Sequence, residues 1–229
     1  MRPCGHAARA PGRYVTPLMS ALSLKYVALG DSSGVGVGAR QGGYVEHLFQ
    51  RLRRTRDGVG LLNLPVSGAT SATVLSGQLP RAQRSAPHVV TLGVGVNDLW
   101  RGVTPAQFES NMDALAGGLV ATGARVVVSN LPEMSLAPVA RLAANFLPLP
   151  LIVERIGAFN AALERVIARH GLLGVDLHGL SLRELPGSDY FCADGFHPSD
   201  TGYQRMAEHF WPVLLQATER GASTAQATG

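Results

Sequence analysis

From Leu24 onward the chain alternates short apolar runs with longer amphipathic stretches, and it does so five times. The apolar runs fall at 24–30, 59–66, 87–94, 124–130 and 172–177. The amphipathic stretches fall at 43–56, 70–83, 104–121, 151–170 and 201–219. Val89-Val90-Thr91-Leu92 and Arg125-Val126-Val127-Val128 are apolar without strict alternation, the pattern of strands buried on both faces. Strand followed by helix, repeated, predicts a parallel sheet covered on both sides, because parallel neighbours need a crossover to connect them. A chain of 229 residues with 46% hydrophobic and 16% charged residues can bury such a core within one domain.

The expected domain spans 24–220. Residues 1–23 read as a disordered or misassigned extension, and 221–229 as a disordered tail. Arg2, Arg9 and Arg13 resemble the basic start of a signal peptide, but the stretch from Val15 to Leu24 is short and broken by Thr16, Pro17 and Ser20. A start at Met19 would leave the first strand intact. The stretch from Leu131 to Pro150 is an irregular insert rich in proline and leucine. It follows the carboxyl end of a strand, where open α/β sheets place their ligands.

The net charge is +4, with a sequence pI near 9.5, and of the 20 basic residues only Lys25 is lysine. No face rich in lysine and aromatic residues accompanies that charge, so no nucleic-acid partner is expected. The densest basic run, Arg51 to Arg56, precedes Asp57-Gly58 and reads as a solvated helix terminus, where cations favour the dipole. Cys4 and Cys192 make neither a disulfide framework nor a metal cluster. That fits a reducing compartment, and a cytoplasmic location is expected, with secretion the alternative. No apolar run reaches the ~20 residues of a membrane-spanning helix, and the chain is expected to be a monomer.

The chemistry lies in four segments. Val27-Ala28-Leu29-Gly30-Asp31-Ser32-Ser33-Gly34 is an apolar strand running into a tight turn that carries Ser32. Asp194-Gly195-Phe196-His197-Pro198 places a carboxylate and an imidazole three residues apart. A carboxylate that close can hold one ring nitrogen and leave the other to take a proton from a serine. His6 lies in the extension; His47, His170 and His209 fall in or at the ends of expected helices and read as surface residues; His88 and His178 flank strands. Of the seven, His197 is the strongest candidate base with Asp194 as its orienting partner, the other reading being a turn Asp that caps the loop beside a surface His. Ser67-Gly68 and Asn97 sit at the ends of two further strands. The Asn97 carboxamide and the backbone N–H groups of Gly68 and Ser32 are candidate donors to an oxyanion. Asp31 and Asp98 read as structural groups that bond loop backbone.

Two other motif readings fail. Gly30-x-Ser32-x-Gly34 satisfies the pattern of the α/β-hydrolase nucleophile elbow, but that serine follows a central strand with several before it, and here only one precedes Ser32. Gly34, Gly36 and Gly38 follow a strand and precede a helix, as in a dinucleotide site. The segment Asn63 to Ser67, however, carries no acidic residue to hold a ribose.

In order and spacing the four segments resemble the motif blocks of the GDSL/SGNH hydrolases. Gly30-Asp31-Ser32 looks like the first block, Ser67-Gly68 the second, Gly95-Val96-Asn97-Asp98 the third and Asp194-Gly195-Phe196-His197-Pro198 the fifth. Ser33 stands where the family's name has leucine, and Val96 where threonine or alanine is frequent. The resemblance implies a three-layer α/β/α sandwich with a five-stranded parallel sheet, the flavodoxin-like SGNH hydrolase fold. It also implies an esterase or lipase acting through an acyl-enzyme on a small ester or thioester, without metal or organic cofactor. Ser32 would be nucleophile, His197 base and Asp194 its partner, with Ser32, Gly68 and Asn97 forming the oxyanion hole. Thioesterase, lysophospholipase and carbohydrate deacetylase activities stay open within the family. From another class, so does a catalytically silent binding module of the same fold. Phe146, Leu147, Leu149 and Leu151 of the insert either line an acyl groove or cover the sheet, and packing is the reading adopted.

Overall fold

A computed structural model describes residues 23–143, 148–185 and 189–225. In chain order these form β1 (Leu24–Gly30), α1 (Ser32–Val35), α2 (Tyr44–Thr55), β2 (Val59–Asn63), α3 (Ser71–Thr73), a π-turn (Val74–Gln78) and α4 (Leu79–Arg84). Then follow β3 (Val89–Gly93), α5 (Val96–Trp100), α6 (Pro105–Val120), β4 (Arg125–Ser129), a 3-10 turn (Met134–Leu136) and α7 (Pro138–Ala143). The chain continues with α8 (Leu149–His170), β5 (Leu173–Val175), α9 (Leu177–Glu184) and α10 (Asp200–Ala225).

The strands form one parallel sheet in the order β2-β1-β3-β4-β5, the five-stranded sheet expected from the apolar runs. Chain order reverses between β1 and β3, and the crevice beyond the carboxyl ends of such a pair is where open sheets bind ligands. Successive β1 residues point to opposite faces, and each face buries a core. Val27 and Leu29 join Val90, Leu92, Phe108 and Phe159 beneath α6 and α8, where the two phenylalanine rings stack at 4.5 Å. Tyr26 and Ala28 join Val89, Val127, Tyr44 and Phe210 beneath α2 and α10, where Tyr44 and Phe210 stack at 4.6 Å.

β1 matches its apolar run, and the other four strands are shorter than theirs. The run 59–66 pairs with β1 only to Asn63, after which Leu64 N–H still donates to Ala28 O but the chain turns away. The expected helix 70–83 is interrupted by the π-turn. Pro80 explains this: its ring clashes with the carbonyl four residues back and it has no N–H to donate, so the helix widens ahead of it. The helices α1, α5, α7 and α9 span at most 8 residues each, too few turns to establish a period in sequence.

The basic run ends α2 as expected, with Arg53 and Arg54 in its last turn, while Arg51 also lies 4.6 Å over the Trp211 ring. The insert contains the 3-10 turn and α7. Leu149 packs on the core beneath α8, but Leu151 is 41% exposed, which corrects the packing expectation there. Phe146 and Leu147 lie outside the described residues. His47, His170 and His209 are half-buried rather than on the surface, and His170 Nε2 lies 2.9 Å from Asp113 Oδ1. The helix α10 runs to Ala225, past the expected domain end at 220. Of the expected extension 1–23, only Ser23 is among the described residues, and 226–229 of the expected tail also lie outside them. Among the described residues no helix is long and apolar enough to cross a membrane.

Candidate active site

The segment that carries Ser32 is held from both sides. Asp31 caps α1: its Oδ1 accepts the Ser33 N–H at 3.0 Å and the Ser33 hydroxyl at 2.8 Å. Ser33, the departure from the family's name, is thereby committed to Asp31. The helix ends after one turn at Gly36, whose N–H returns to Ser32 O at 3.0 Å. Tyr203 of α10 lies buried beneath and donates to Val37 O at 2.8 Å. Ser32 is only 7% exposed, so its hydroxyl reaches the crevice while its backbone stays packed.

The loop of Asp194 and His197 is shaped by its own backbone. Gly195 turns at φ +67°, a conformation that glycine adopts without strain. Cys192 N–H donates to His197 O at 2.8 Å, and Val139 N–H of α7 donates to Gly195 O at 3.0 Å. Asp194 Oδ1 accepts the N–H groups of Phe196 and His197, each at 2.8 Å, and the Cys192 thiol at 3.1 Å. Its Oδ2 lies 2.6 Å from His197 Nδ1. Desolvation opposes ionisation of Asp194, but the bonds from His197, from the two backbone N–H groups and from Cys192 outweigh it. The carboxyl group is held well below the usual carboxylate range.

The third contact closes the set: His197 Nε2 lies 3.0 Å from Ser32 Oγ. An ionised Asp194 can only accept, so a neutral His197 keeps its proton on Nδ1 and presents the Nε2 lone pair to the Ser32 hydroxyl. The structure thus brings Ser32, Asp194 and His197 into one hydrogen-bonded series across 165 residues of sequence.

Asn97 is in the first turn of α5, and with Ser32 and His197 it lines one cavity of about 80 Å3. Its Nδ2 donates to Ala69 O at 3.0 Å. A carboxamide has two N–H groups, so one fixes the side chain and the other remains for a ligand. Gly68 lies next to that anchoring carbonyl in sequence, with φ +76°, and its own carbonyl accepts from Arg101 at 3.1 Å. Asp98 is fully buried and bonds Ser71, as the structural reading expected. Desolvation pushes the carboxyl groups of Asp31 and Asp98 up from the ordinary value. The rest of the cavity wall is mostly apolar, including Val94, Leu131, Met134, Tyr190, Phe191 and Phe196.

Several supporting residues carry no signal in their own segments. Tyr203 and Met206 come from the last helix, and Asp200 accepts the N–H groups of Arg40 and Gln41 at 2.9 and 2.8 Å. Cys192 stands beside Asp194 only because the loop folds back. Among the described residues no three of His, Cys, Asp and Glu come together in a way that could hold a metal ion.

The model of the GDSL-like Lipase/Acylhydrolase family matches residues 28–205. Esterase TesA of Pseudomonas aeruginosa is 28% identical over 200 residues, covering 87% of this chain and 91% of its own. The crystal structure of TesA superposes with a TM-score of 0.66 at 28% identity, covering 83% of this chain and 97% of that one. Axe2, an acetylxylan esterase from Geobacillus stearothermophilus, shares the fold with a TM-score of 0.69 at 17% identity, covering 85% of this chain and 95% of that one. With the family model spanning most of the sequence, the chain belongs to the GDSL-like lipase/acylhydrolase family.

Proposed function

We propose that this protein is a serine hydrolase that cleaves carboxylic esters of short acyl groups through an acyl-enzyme. The observation that carries the reading is the series Asp194, His197, Ser32, with contacts of 2.6 and 3.0 Å, opening onto an apolar cavity. Ser32 Oγ attacks the acyl carbon as its proton passes to His197 Nε2, and the imidazolium is stabilised by Asp194. The carbonyl oxygen becomes an oxyanion, held by the N–H groups of Ser32 and Gly68 and by the free N–H of Asn97. Collapse breaks the ester C–O bond, and the leaving alcohol takes the proton from His197. Water then attacks the acyl-enzyme and gives a proton to His197, and as the Ser32 Oγ–acyl bond breaks His197 returns that proton to Ser32 Oγ, releasing the acid.

The cavity volume supports a small acyl group. At about 80 Å3 it is roughly half the ~150 Å3 that accommodates benzene, which suits a group of roughly two to four carbons. The relatives support ester hydrolysis, since TesA is named an esterase. The test is hydrolysis of nitrophenyl esters from acetyl to palmitoyl, with Ser32→Ala alongside. Activity on short chains that vanishes in the variant supports the reading. Activity that survives Ser32→Ala, or an optimum at palmitoyl, overturns it.

A further inference from the structure

The two halves of the site hang on β1 and β3, but β1 loses one neighbour just before it reaches Ser32. Beyond Ala28 and Asn63 the paired register with β2 stops, and only single bonds from Leu64 N–H to Ala28 O and from Val66 N–H to Gly30 O continue along that side. On the far side Gly30 still pairs with Gly93, so closely that a Cβ at Gly30, where φ is +152°, would overlap the Gly93 carbonyl oxygen. On the near side Val66 N–H, from the chain just past β2, still donates to Gly30 O at 3.2 Å, but the register with β2 ends before it can supply an acceptor for the Gly30 N–H. A buried Gly30 N–H left without an acceptor would be costly.

Gln78 fills that gap. Its Oε1 accepts the Gly30 N–H at 2.8 Å and its Nε2 donates to Gly30 O at 2.8 Å. The side chain is only 4% exposed and both of its polar atoms are used on this one residue. Its Oε1 takes the acceptor role that β2 does not fill, and its Nε2 shares Gly30 O with Val66 N–H. Gln78 is the last residue of the π-turn, and π-turns inside helices are frequent at functional sites. The wider turn ahead of Pro80 brings this side chain onto the end of β1.

We propose that Gln78 is a positioning residue for Ser32: its carboxamide supplies the acceptor that β2 does not offer the Gly30 N–H, holds Gly30 O together with Val66 N–H, and so fixes the turn from which the hydroxyl projects toward His197. This rests on the reading of Ser32 as nucleophile. Gln78 touches no reacting atom. It acts through Gly30 and Asp31 on the 3.0 Å contact between Ser32 and His197, a distance on which proton transfer depends steeply.

The experiment compares Gln78→Ala and Gln78→Glu with Gln83→Ala, whose side chain donates to Gly118 O from α4 of the same helical segment, away from the site. With nitrophenyl acetate, kcat is expected to fall about 10- to 100-fold in both Gln78 variants with KM little changed. Phosphonylation of Ser32 by a fluorophosphonate should slow by the same factor, and Gln83→Ala should leave both rates as in wild type. Glu keeps the length and the acceptor for the Gly30 N–H but sets a carboxyl oxygen against Gly30 O in place of the donor, so it reports even if the alanine variant does not fold. In wild type the Gly30 amide should exchange with deuterium as slowly as the amides of Val27 and Leu29. Wild-type kcat in a folded Gln78 variant, a change in KM alone, or a Gly30 amide exchanging at loop rates overturns the proposal. The two readings separate through Ser32→Ala. If that variant is inert while Gln78 variants keep full activity, only the role of Gln78 falls; if it stays active, both fall.

Discussion

Asp98 and Ser71 lock together the two loops that present Gly68 and Asn97. The fully buried Asp98 carboxylate accepts the Ser71 N–H at 2.9 Å through Oδ2 and the Ser71 hydroxyl at 2.5 Å through Oδ1. Asn111 of α6 closes the network by donating to Ser71 Oγ at 2.9 Å. Asn97 precedes Asp98 and Gly68 stands shortly before Ser71, so this clamp fixes the two segments that carry them relative to each other. Asp98→Ala would leave the buried Ser71 N–H and hydroxyl without their acceptor, at a cost of about 2–4 kcal/mol in stability. Urea unfolding measures that loss, and kcat should fall with it at temperatures where the variant stays folded.

Removing Asn97 tests the other side of the clamp. Asn97→Ala is expected to cost about 3–4 kcal/mol in the transition state, or two to three orders of magnitude in kcat, with little change in KM. The donor acts on a charge that exists only after attack, so substrate binding should hardly register its loss. Steady-state kinetics with nitrophenyl acetate read the split directly. Equal effects on kcat and KM would remove Asn97 from the oxyanion hole.

Much of this arrangement was legible in the residues, and the part that was not has a physical pattern. Strands buried on both faces announce themselves as unbroken apolar runs, so the sheet could be read from Val89 to Leu92 or Val126 to Val128. The members of the hydrogen-bonded series stood out because Ser32 ends a strand and Asp194 and His197 are close in sequence. Gln78, Tyr203 and Asp200 did not stand out, since each acts on backbone brought near only by the fold. The one hint for Gln78 was Pro80 inside a helical pattern, a conflict that the chain resolves with the π-turn. His170 escaped for a similar reason: its partner Asp113 lies on another helix, and no periodicity joins them.

Asp31 makes a prediction whose sign can be worked out. Burial raises its pKa in the folded state above the unfolded value. Its contribution to stability is therefore fully present below the ordinary carboxylate value of ~3.9 and is lost as pH rises through the raised folded value. Both bonds from Ser33 end on Oδ1, so Asp31→Asn can keep them while removing the buried charge. Thermal unfolding of the variant relative to wild type should improve steadily from acid to neutral pH. A difference that does not change with pH would mean that Asp31 carries no such penalty.

Asp194 carries the opposite sign, and its consequence falls on catalysis. The bonds from His197, Phe196 N–H, His197 N–H and the Cys192 thiol hold its carboxyl group well below the usual range, against desolvation. The carboxylate therefore stays ionised through mildly acid conditions and takes up no proton there that could account for a loss of activity. The pH profile of kcat/KM should show an acid limb of unit slope, as one proton requires. A slope of two would mean that Asp194 titrates in the same range.

Asp194→Asn should lower kcat by about two to four orders of magnitude while leaving the fold intact, because a carboxamide can present its N–H to Nδ1 and select the wrong tautomer. If Asp194→Asn keeps most of the activity, the 2.6 Å contact to Nδ1 orients the ring without stabilising the imidazolium.

The cavity wall sets the last expectation. Met134 is 5% exposed and lines the cavity with Leu131 and Phe196. Met134→Ala removes side-chain volume from a space of about 80 Å3, so longer acyl chains should become substrates. The enlargement also costs about 2–5 kcal/mol in stability if the wall does not collapse into the gap. The chain-length optimum on nitrophenyl esters should lengthen by roughly two carbons, because each buried methylene adds about 0.8 kcal/mol once there is room for it. Collapse of the wall would give the reverse signature, a small stability loss with an unchanged optimum. Measuring unfolding and chain-length profile on the same sample tells the two apart, since a cavity that stays open must change both.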